Sequence, residues 1–151
     1  MAVVTWTNGD GLMAGTANRT VEVSIPSELG YEEIVMASAV IIAQKMGFAR
    51  DRVDDLKMAV AEACTNAIEH GNNSDANLAV VVKMTIYEDR LCVRVRDSGQ
   101  APIPTPPPKR SHRPDNRGWG LYLIEQLVDK VEISTAPGRN EIRMVIYLEP
   151  A

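Results

Sequence analysis

The spacing of hydrophobic and polar residues changes along the chain, and each spacing predicts a different kind of element. Segments in which apolar residues recur at every second position, or form short β-rich runs between turn residues, predict strands. Longer segments with helical periodicity predict helices. The predicted strands are 20–26, 78–89, 90–97, 131–135 and 141–149. The predicted helices are about 28–47, about 50–71 and 119–131.

Capping and turn residues set the expected limits of these elements. Ser27 is a good N-cap for the first helix, and Gly47 is the signal for its C-terminal end. Gly71 and Asn72 predict a left-handed cap at the end of the second helix. A polar turn at 88–90 joins two of the strands into a hairpin.

The order of the elements predicts a single α+β domain. A β-α-α-β-β-α-β-β order is typical of a two-layer sandwich, in which a mostly antiparallel sheet carries its helices on one face. The turn at Pro137-Gly138 joins the last two strands. We expect residues 1–18 to form a flexible N-terminal arm or an irregular edge, and 19–150 to form the domain. The proline-rich stretch 101–118 predicts an extended loop, too short to separate two domains.

Composition and charge restrict the function classes. The chain has 151 residues, a hydrophobic content of 45%, a formal net charge of -4 and a pI of about 5.2. This acidic balance argues against general binding to nucleic acid or membrane surfaces, although it is compatible with a local basic patch. The sequence contains neither a signal-peptide pattern nor a membrane-length apolar run. Cys64 and Cys92 lie in apolar contexts typical of core residues. We therefore expect a cytoplasmic protein.

The second predicted helix carries an unusual polar stripe. With a turn of about 100° per residue, Glu62, Asn66, Glu69 and His70 fall within one arc. A solvated helix face is the ordinary interpretation of such a stripe. Asn is, however, a poor residue for a helix interior, and the two carboxylates lie toward the unfavourable end of the helix dipole. At this point both interpretations, a plain surface and a site, stay open.

Two later motifs favour a site. In VRVRDSG (93–99) a predicted strand ends on Asp97, and Gly99 follows two positions later; this is either a simple turn or an acceptor for a ligand N–H with close backbone approach. In RGWGL (117–121), Gly118 and Gly120 open a helix after a loop, so that backbone N–H groups and the positive end of the helix dipole are available to phosphate.

In this order and spacing, the three motifs resemble the GHKL superfamily of ATPases, and within it the anti-sigma-factor serine kinases. The resemblance covers about 20–149, and EACTNAIEHG is its most specific part. It implies that Glu62 is the catalytic base and that Asn66 is a ligand of Mg²⁺ in the ATP complex. Asp97 would accept a hydrogen bond from the adenine amino group, with Gly99 close to the base.

The resemblance also assigns roles to the loop and to the helix that follows it. Residues 100–117 would form a lid over the nucleotide, and Gly118, Gly120 and Leu121 would open the helix beneath the phosphates. Arg117 is the nearest match to the family's arginine before Gly-x-Gly. The lid also carries a basic cluster, which would contact phosphate or an acidic partner, or would only keep the loop soluble; its other members are Lys109, Arg110 and Arg113.

The implied function is that of an anti-sigma factor and ATP-dependent protein serine kinase. It would phosphorylate an anti-anti-sigma protein of the STAS type, sequester a sigma factor, and act as a homodimer without direct contact to nucleic acid or membrane. One alternative is a non-catalytic module that binds ATP or a partner, because the family's late Gly-Thr pair is replaced here by residues 138–141. Another is a metal-dependent hydrolase using Glu62, Glu69, His70 and His112, whose spacing fits no known ligand pattern.

Overall fold

One antiparallel sheet organises the described part of the chain. The computed structural model describes residues 3–8, 19–100, 102–103 and 117–149, with side chains described from residue 19 onward except at 117–119. The strands are β1 (Val3–Asn8), β2 (Arg19–Pro26), β3 (Ala79–Ile86), β4 (Arg90–Asp97), β5 (Lys130–Ala136) and β6 (Arg139–Tyr147). The helices are α1 (Glu32–Met46), α2 (Arg50–Asn66) and α3 (Arg117–Leu127), and a π-helical turn, Ala67–Gly71, continues α2.

The sheet buries one face against the helices. Within the described residues it is six-stranded, in the order β1-β2-β3-β4-β6-β5, and each neighbouring pair is antiparallel. One row of buried side chains crosses the inner face through Val23, Val82, Val95 and Ile142. The adjacent row, on the other face, is formed by Lys83, Arg94 and Arg143. The predicted α+β two-layer sandwich is confirmed.

The predicted hairpins are also confirmed. β3 and β4 meet at a turn closed by the bond from the Tyr87 N–H to the Arg90 carbonyl, 2.9 Å. Pro137 and Gly138 connect β5 to β6, and Gly138 has a φ of 77°. Proline at the first central position and a left-handed glycine at the second are the residues that a type II turn requires. None of the helices in the described ranges combines the length and apolar character needed to cross a membrane.

The N-terminal segment contains a strand that the sequence analysis did not predict. Residues 3–8 were expected within a flexible arm or irregular edge, but Val3–Asn8 forms β1 and pairs along β2, from Val3 opposite Ser24 to Asn8 opposite Arg19. Valine and threonine favour extended backbone, and β2 offers an otherwise unpaired edge. Residues 9–18 lie outside the described part of the chain.

Ser27 has a different role from the predicted one. It was expected to cap a helix from about residue 28, but α1 begins at Glu32, and its N-cap residue, Tyr31, makes no side-chain cap bond. The Ser27 hydroxyl is buried and donates to the Leu78 carbonyl, 2.8 Å, in the loop before β3. The C-terminal signal is confirmed, since Gly47 is left-handed with a φ of 91°.

The end of α2 also differs from the prediction. Gly71 and Asn72 were expected to form a left-handed cap, but the chain passes through the π-helical turn, which the Asn72 N–H closes on the Ala67 carbonyl, 2.8 Å. The left-handed backbone occurs later, at Asn73 and Ser74, with φ values of 51° and 55°. A π-helical turn at a helix end often marks a functional position, and this one lies beside the predicted Asp97 motif.

The last helix is displaced toward the N-terminus relative to the prediction. α3 runs from Arg117 to Leu127, whereas residues 119–131 were expected. It ends early because Asp129 bonds to β6: its N–H donates to the Val145 carbonyl, 3.0 Å, and its carboxylate accepts from the Tyr147 N–H, 2.7 Å. Most of the predicted lid lies outside the described residues.

Candidate active site

The polar stripe on the second helix does not behave as one solvated face. Asn66 is only 7% exposed, and Glu62, one helical turn before it, is half-buried. Glu69 is exposed and His70 half-buried on the π-helical turn. A helix face that is simply solvated would not bury an amide in its middle. Asn66 is therefore the buried member of the stripe, and Glu62 lies half-buried one helical turn before it.

The first turn of α3 lies directly on Glu62 and Asn66. A Cβ atom built on Gly120 would stand 2.9 Å from Glu62 Oε2 and 3.0 Å from Asn66 Nδ2, so both side chains would have to shift to admit it. The next residue, Leu121, is 1% exposed and anchors the turn in the core. Glycine at this position thus lets the start of α3 approach two polar side chains of α2.

Burial and charge act together on Glu62. Desolvation raises the pKa of its carboxyl group above the ordinary value, and the negative charge of Glu69 raises it further. A carboxyl group whose pKa moves toward neutrality is better suited to accept and release a proton under physiological conditions. This is the property expected of the residue that the sequence pattern marks as a catalytic base.

Asn66 offers both a buried hydrogen-bond donor and an amide oxygen. Its side-chain Nδ2 is buried and finds no hydrogen-bond partner among the described residues. A buried N–H group without a partner costs free energy and calls for an acceptor, for which a phosphate oxygen is suited. The amide oxygen of the same side chain is a neutral, hard donor of the kind that Mg²⁺ accepts when phosphates and water complete its shell. The side chain therefore fits a position beside an Mg²⁺–phosphate group, as the resemblance implies.

Asp97 is held at the end of β4 by backbone contacts as well as side-chain contacts. It is 4% exposed, and its Oδ1 accepts from the Gly99 N–H, 2.8 Å, and from Asn140 Nδ2, 3.2 Å. A Cβ on Gly71 would overlap the Asp97 carboxylate, and a Cβ on Gly99 would overlap the Gly71 carbonyl oxygen. Both glycines are therefore required by close approach and not by a left-handed backbone.

Asn72 also holds the loop that follows β4 through hydrogen bonds. It is 2% exposed, and its Oδ1 accepts from the Ser98 N–H at 2.8 Å. Its Nδ2 donates to the Ser27 hydroxyl, 2.8 Å, and to the Ala79 carbonyl, 3.1 Å. The sequence analysis interpreted Asn72 only as part of a helix cap. Nothing in the sequence pattern distinguishes a capping asparagine from one that links three separate segments.

Asp97 and Asn66 both line one narrow, mainly apolar slot between α2 and the sheet. The apolar residues that line it are Ala63, Ala67, Val95, Ile103, Leu121 and Ile142. Apolar walls with a buried acceptor suit a heterocycle that carries an N–H donor. The slot thus connects the acidic end of β4 to Asn66 on α2.

The structure brings most of the sequence-predicted residues together. Glu62, Asn66, Gly120 and Leu121 meet at the interface of α2 and α3, and Asp97 and Gly99 lie where β4 meets the π-helical turn. Arg117 and Gly118 open α3, and their side-chain surroundings lie outside the described residues, as do Lys109, Arg110 and Arg113 of the lid. The sequence analysis did not predict a role at the site for Gly71, Asn72, Ile103 or Asn140.

The hydrolase alternative gains no support from the part of the chain that the structure describes. There, no group of at least 3 His, Cys, Asp or Glu side chains is arranged to hold a metal ion. Of the residues that this alternative needs, His112 lies outside the described ranges.

Comparisons with known proteins agree with this geometry. A family profile described as a histidine kinase-like ATPase domain matches residues 25–146. Over 137 residues the chain is 39% identical to the serine-protein kinase RsbW of Bacillus velezensis and 36% identical to that of Bacillus subtilis, with 85% of both chains covered in each case.

A solved structure supports the fold. The crystal structure of the RsbU and RsbW domains of Rv1364c from Mycobacterium tuberculosis matches with a TM-score of 0.65 and 21% sequence identity. The match covers 87% of this chain and 33% of that one, so the chain spans about a third of the length of this larger protein.

Proposed function

The chain belongs to the histidine kinase-like ATPase family, in the group of the serine-protein kinases RsbW, and we propose that it is an ATP-dependent protein serine kinase and anti-sigma factor. Its protein substrate is an anti-anti-sigma protein with a STAS domain, and its second partner is a sigma factor that it sequesters in the cytoplasm. We propose no direct contact with nucleic acid or membrane.

The observation that carries this proposal is the contact between α3 and the polar pair of α2. Gly120 brings the N-terminal turn of α3 against Glu62 and Asn66. The backbone N–H groups of a helix's first turn are available to phosphate oxygens, and the helix dipole favours negative charge there. A triphosphate bound by residues 118–121 would therefore lie beside both a carboxylate and an amide ligand. Phosphoryl transfer depends mainly on such positioning.

Each polar residue then has one role in the proposed mechanism. Asp97 accepts a hydrogen bond from the adenine amino group in the slot, and Gly99 allows the base to approach. Asn66 would hold Mg²⁺, which would neutralise charge on the phosphates. Glu62 orients the serine hydroxyl of the protein substrate and accepts its proton as that oxygen bonds to the γ-phosphorus. The bond from the γ-phosphorus to the bridging oxygen breaks, and ADP leaves.

The proposed lid, residues 100–117, is connected to the base-binding slot at both ends. Ile103, at its start, and Leu121, just after its end, both line the slot and are buried. In this structure the slot is too narrow for a water molecule, so some of its lining side chains have to move before a base can enter. We propose that Ile103 and Leu121 are the ones that move, which would couple nucleotide binding to movement of the lid. We propose that Arg117 and the other cations of the lid then contact phosphate or an acidic partner.

We further propose that two copies associate through the outer face of α1. Ile34 and Ile41 lie one above the other on that face and are 37% and 53% exposed, with the small residues Ala37 and Ser38 between them. A helix that is apolar on both faces is usually covered on both. Antiparallel packing of two copies would place the first-turn acids of each α1 beside the last-turn Lys45 of the other, which favours a second copy as the occupant.

A phosphorylation assay tests the function directly. The chain is incubated with radiolabelled ATP, Mg²⁺ and STAS-domain proteins chosen from the neighbouring genes, and label is followed on a serine of the substrate. Transfer to a STAS protein that is lost with Glu62→Gln supports the proposal. Tight ATP binding with no transfer to any of them would favour the alternative, a non-catalytic module on the same fold.

A further inference from the structure

A buried asparagine on β6 stands directly across from the proposed base-recognition carboxylate. Asn140 is opposite Asp97 in the register of β4 and β6, and the two side chains are 1% and 4% exposed. Residues opposite one another in an antiparallel pair point to the same face. The pair therefore lies on the inner face of the sheet, in line with Val95 and Ile142, which line the slot.

Asn140 bonds to both ends of the Asp97–Gly99 loop. Its Nδ2 donates to Asp97 Oδ1 and to the Gly99 carbonyl, each at 3.2 Å. The Gly99 carbonyl also accepts from the Gly138 N–H at 3.1 Å, and the Gly99 N–H donates back to Asp97 Oδ1 at 2.8 Å. The turn between β5 and β6 is thus connected to the base-recognition loop through a closed set of hydrogen bonds.

These bonds fix the direction of the carboxylate. A carboxylate that accepts only one local backbone N–H can still rotate about its side-chain torsions. A second donor from a neighbouring strand, on the same oxygen, selects one rotamer and offsets the cost of burying the charge. Because the Asn140 side chain belongs to a strand within the sheet, the rotamer is set by the rigid part of the fold.

We propose that Asn140 is a positioning residue for nucleotide recognition, which acts through Asp97 and does not itself touch the base. This inference rests on the proposed function, since it needs Asp97 to bind the amino group of adenine. It also accounts for the departure of residues 138–141 from the family's Gly-Thr pattern. The amide of Asn140 supplies the hydrogen-bond donor at this end of the sheet, so that the sequence change does not remove support for the base site.

Two nucleotides separate this role from a merely structural one. Purine ribonucleoside triphosphate lacks the 6-amino group of ATP and is otherwise the same ligand, so its affinity does not depend on a hydrogen bond to Asp97. We expect Asn140→Leu to weaken ATP binding about tenfold or more, as for loss of a hydrogen bond to a charged group. Binding of purine ribonucleoside triphosphate should stay unchanged, as should kcat at saturating ATP. Asn140→Thr, which restores a donor, should recover most of the ATP affinity.

The control variant is Thr135→Leu. Thr135 pairs with Asn140 from the other side, on β5, and is exposed, so this change tests the effect of altering the same part of the sheet. We expect Thr135→Leu to leave the binding of both nucleotides unchanged. If Asn140→Leu weakened both nucleotides equally, the residue would be structural and the inference wrong.

A double-mutant cycle tests whether Asn140 acts through Asp97. In an Asp97→Asn background, Asn140→Leu should have little further effect on ATP affinity, because residues that act as a unit are non-additive. Fully additive effects would overturn the inference while leaving the proposed function in place. Should Asn140→Leu fail to fold, nuclear magnetic resonance of the wild-type chain gives a second readout. The Asn140 side-chain amide should shift more on addition of ATP than on addition of the 6-amino-lacking analogue, and equal shifts would contradict the inference. A wild-type chain that binds neither nucleotide would refute the proposed function itself.

Discussion

Gly99 and Gly71 lie in direct backbone contact, so that a Cβ atom on Gly99 would overlap the carbonyl oxygen of Gly71. The contact joins the loop after β4 to the π-helical turn after α2. Since Asp97 and Asn66 lie on either side of it, the distance between the two ends of the slot depends on two residues that have no side chain.

Substitution of Gly99 by alanine should both destabilise the fold and weaken nucleotide binding in the slot. We expect Gly99→Ala to cost roughly 1–3 kcal/mol of stability, because its Cβ can fit only if backbone moves. It should also weaken ATP binding strongly, since that movement displaces Asp97. Thermal unfolding and ATP titration measure the two effects.

Gly47→Ala is the matched control for Gly99→Ala. Gly47 has open space around its Cβ position but a left-handed φ of 91°, so alanine there is strained without touching the site. We expect a loss of about 1 kcal/mol in stability and normal ATP binding. Equal effects of both variants on ATP binding would contradict the role given to the glycine contact.

Glu62→Gln should separate binding from chemistry. The amide keeps the size of the side chain beside Gly120 but cannot accept a proton, so we expect transfer to fall by about 10²- to 10⁴-fold while ATP affinity is retained. Single-turnover phosphorylation and ATP titration give the two numbers. Glu69→Gln, assayed at a pH well above the acid limb of the profile where its effect on the Glu62 pKa does not matter, is the control, because that carboxylate is exposed. Comparable transfer by the Glu62 variant and the wild type would reject Glu62 as the base.

The raised pKa of Glu62 predicts a shifted acid limb in the pH profile of kcat/KM. Transfer requires the ionised carboxylate, so activity should fall as the pH drops through a pKa above that of an ordinary glutamate. Removing the charge in Glu69→Gln lowers the Glu62 pKa and should move the limb toward lower pH. An acid limb at the same pH in both proteins would contradict this coupling.

The raised pKa of Glu62 also predicts the direction in which the stability of the fold changes with pH. Because the folded-state pKa of Glu62 is raised above its unfolded value, the protonated form favours folding. The contribution is full below the unfolded pKa and is lost as the pH rises through the folded one. Denaturant unfolding of Glu62→Gln across this range should show a smaller decline than the wild type.

Asn66→Ala should weaken nucleotide binding without weakening the fold. The substitution removes a buried amide whose Nδ2 has no hydrogen-bond partner in the described part of the chain, so its loss should cost little or no stability. ATP affinity in the presence of Mg²⁺ should fall, whereas affinity measured with a chelator present should change little. A variant that is much less stable, or that binds Mg²⁺ and ATP normally, would reject the ligand role.

The outer face of α1 gives a prediction about association. Ile41→Asp places a charge at the more exposed of the two isoleucines on this face and should convert a dimer to a monomer in sedimentation analysis. Leu78→Asp, at an exposed leucine in the loop before β3, is the control and should leave the oligomeric state unchanged. A wild-type chain that is monomeric at micromolar concentration would refute the dimer.

The sequence predicted the secondary-structure elements and the motifs better than it predicted the contacts between distant residues. Periodicity located the sheet and the helices, and spacing marked Glu62 and Asn66, because both signals are local. Ser27 shows the limit of such signals. A serine before a helix is a capping residue by local rules, but here its hydroxyl bonds to a loop far along the chain.

The residues that the sequence analysis missed act through pairing between distant segments. Asn140 matters because β6 lies beside β4 and places it opposite Asp97, a register that no local pattern specifies. The π-helical turn is a similar case, since it forms where Gly71 packs on the Asp97 carboxylate. The glycine was noticed in the sequence, but its reason is steric exclusion and not a capping conformation.

Ile103 and Leu121 bring two positions that are distant in the sequence to the same slot. Both side chains line it, so the two anchors at the ends of the proposed lid lie close to one another. Because these two ends are already close together, rearranging the lid costs little additional loop-closure entropy. A molecule that parts the two side chains would therefore move both anchors in concert.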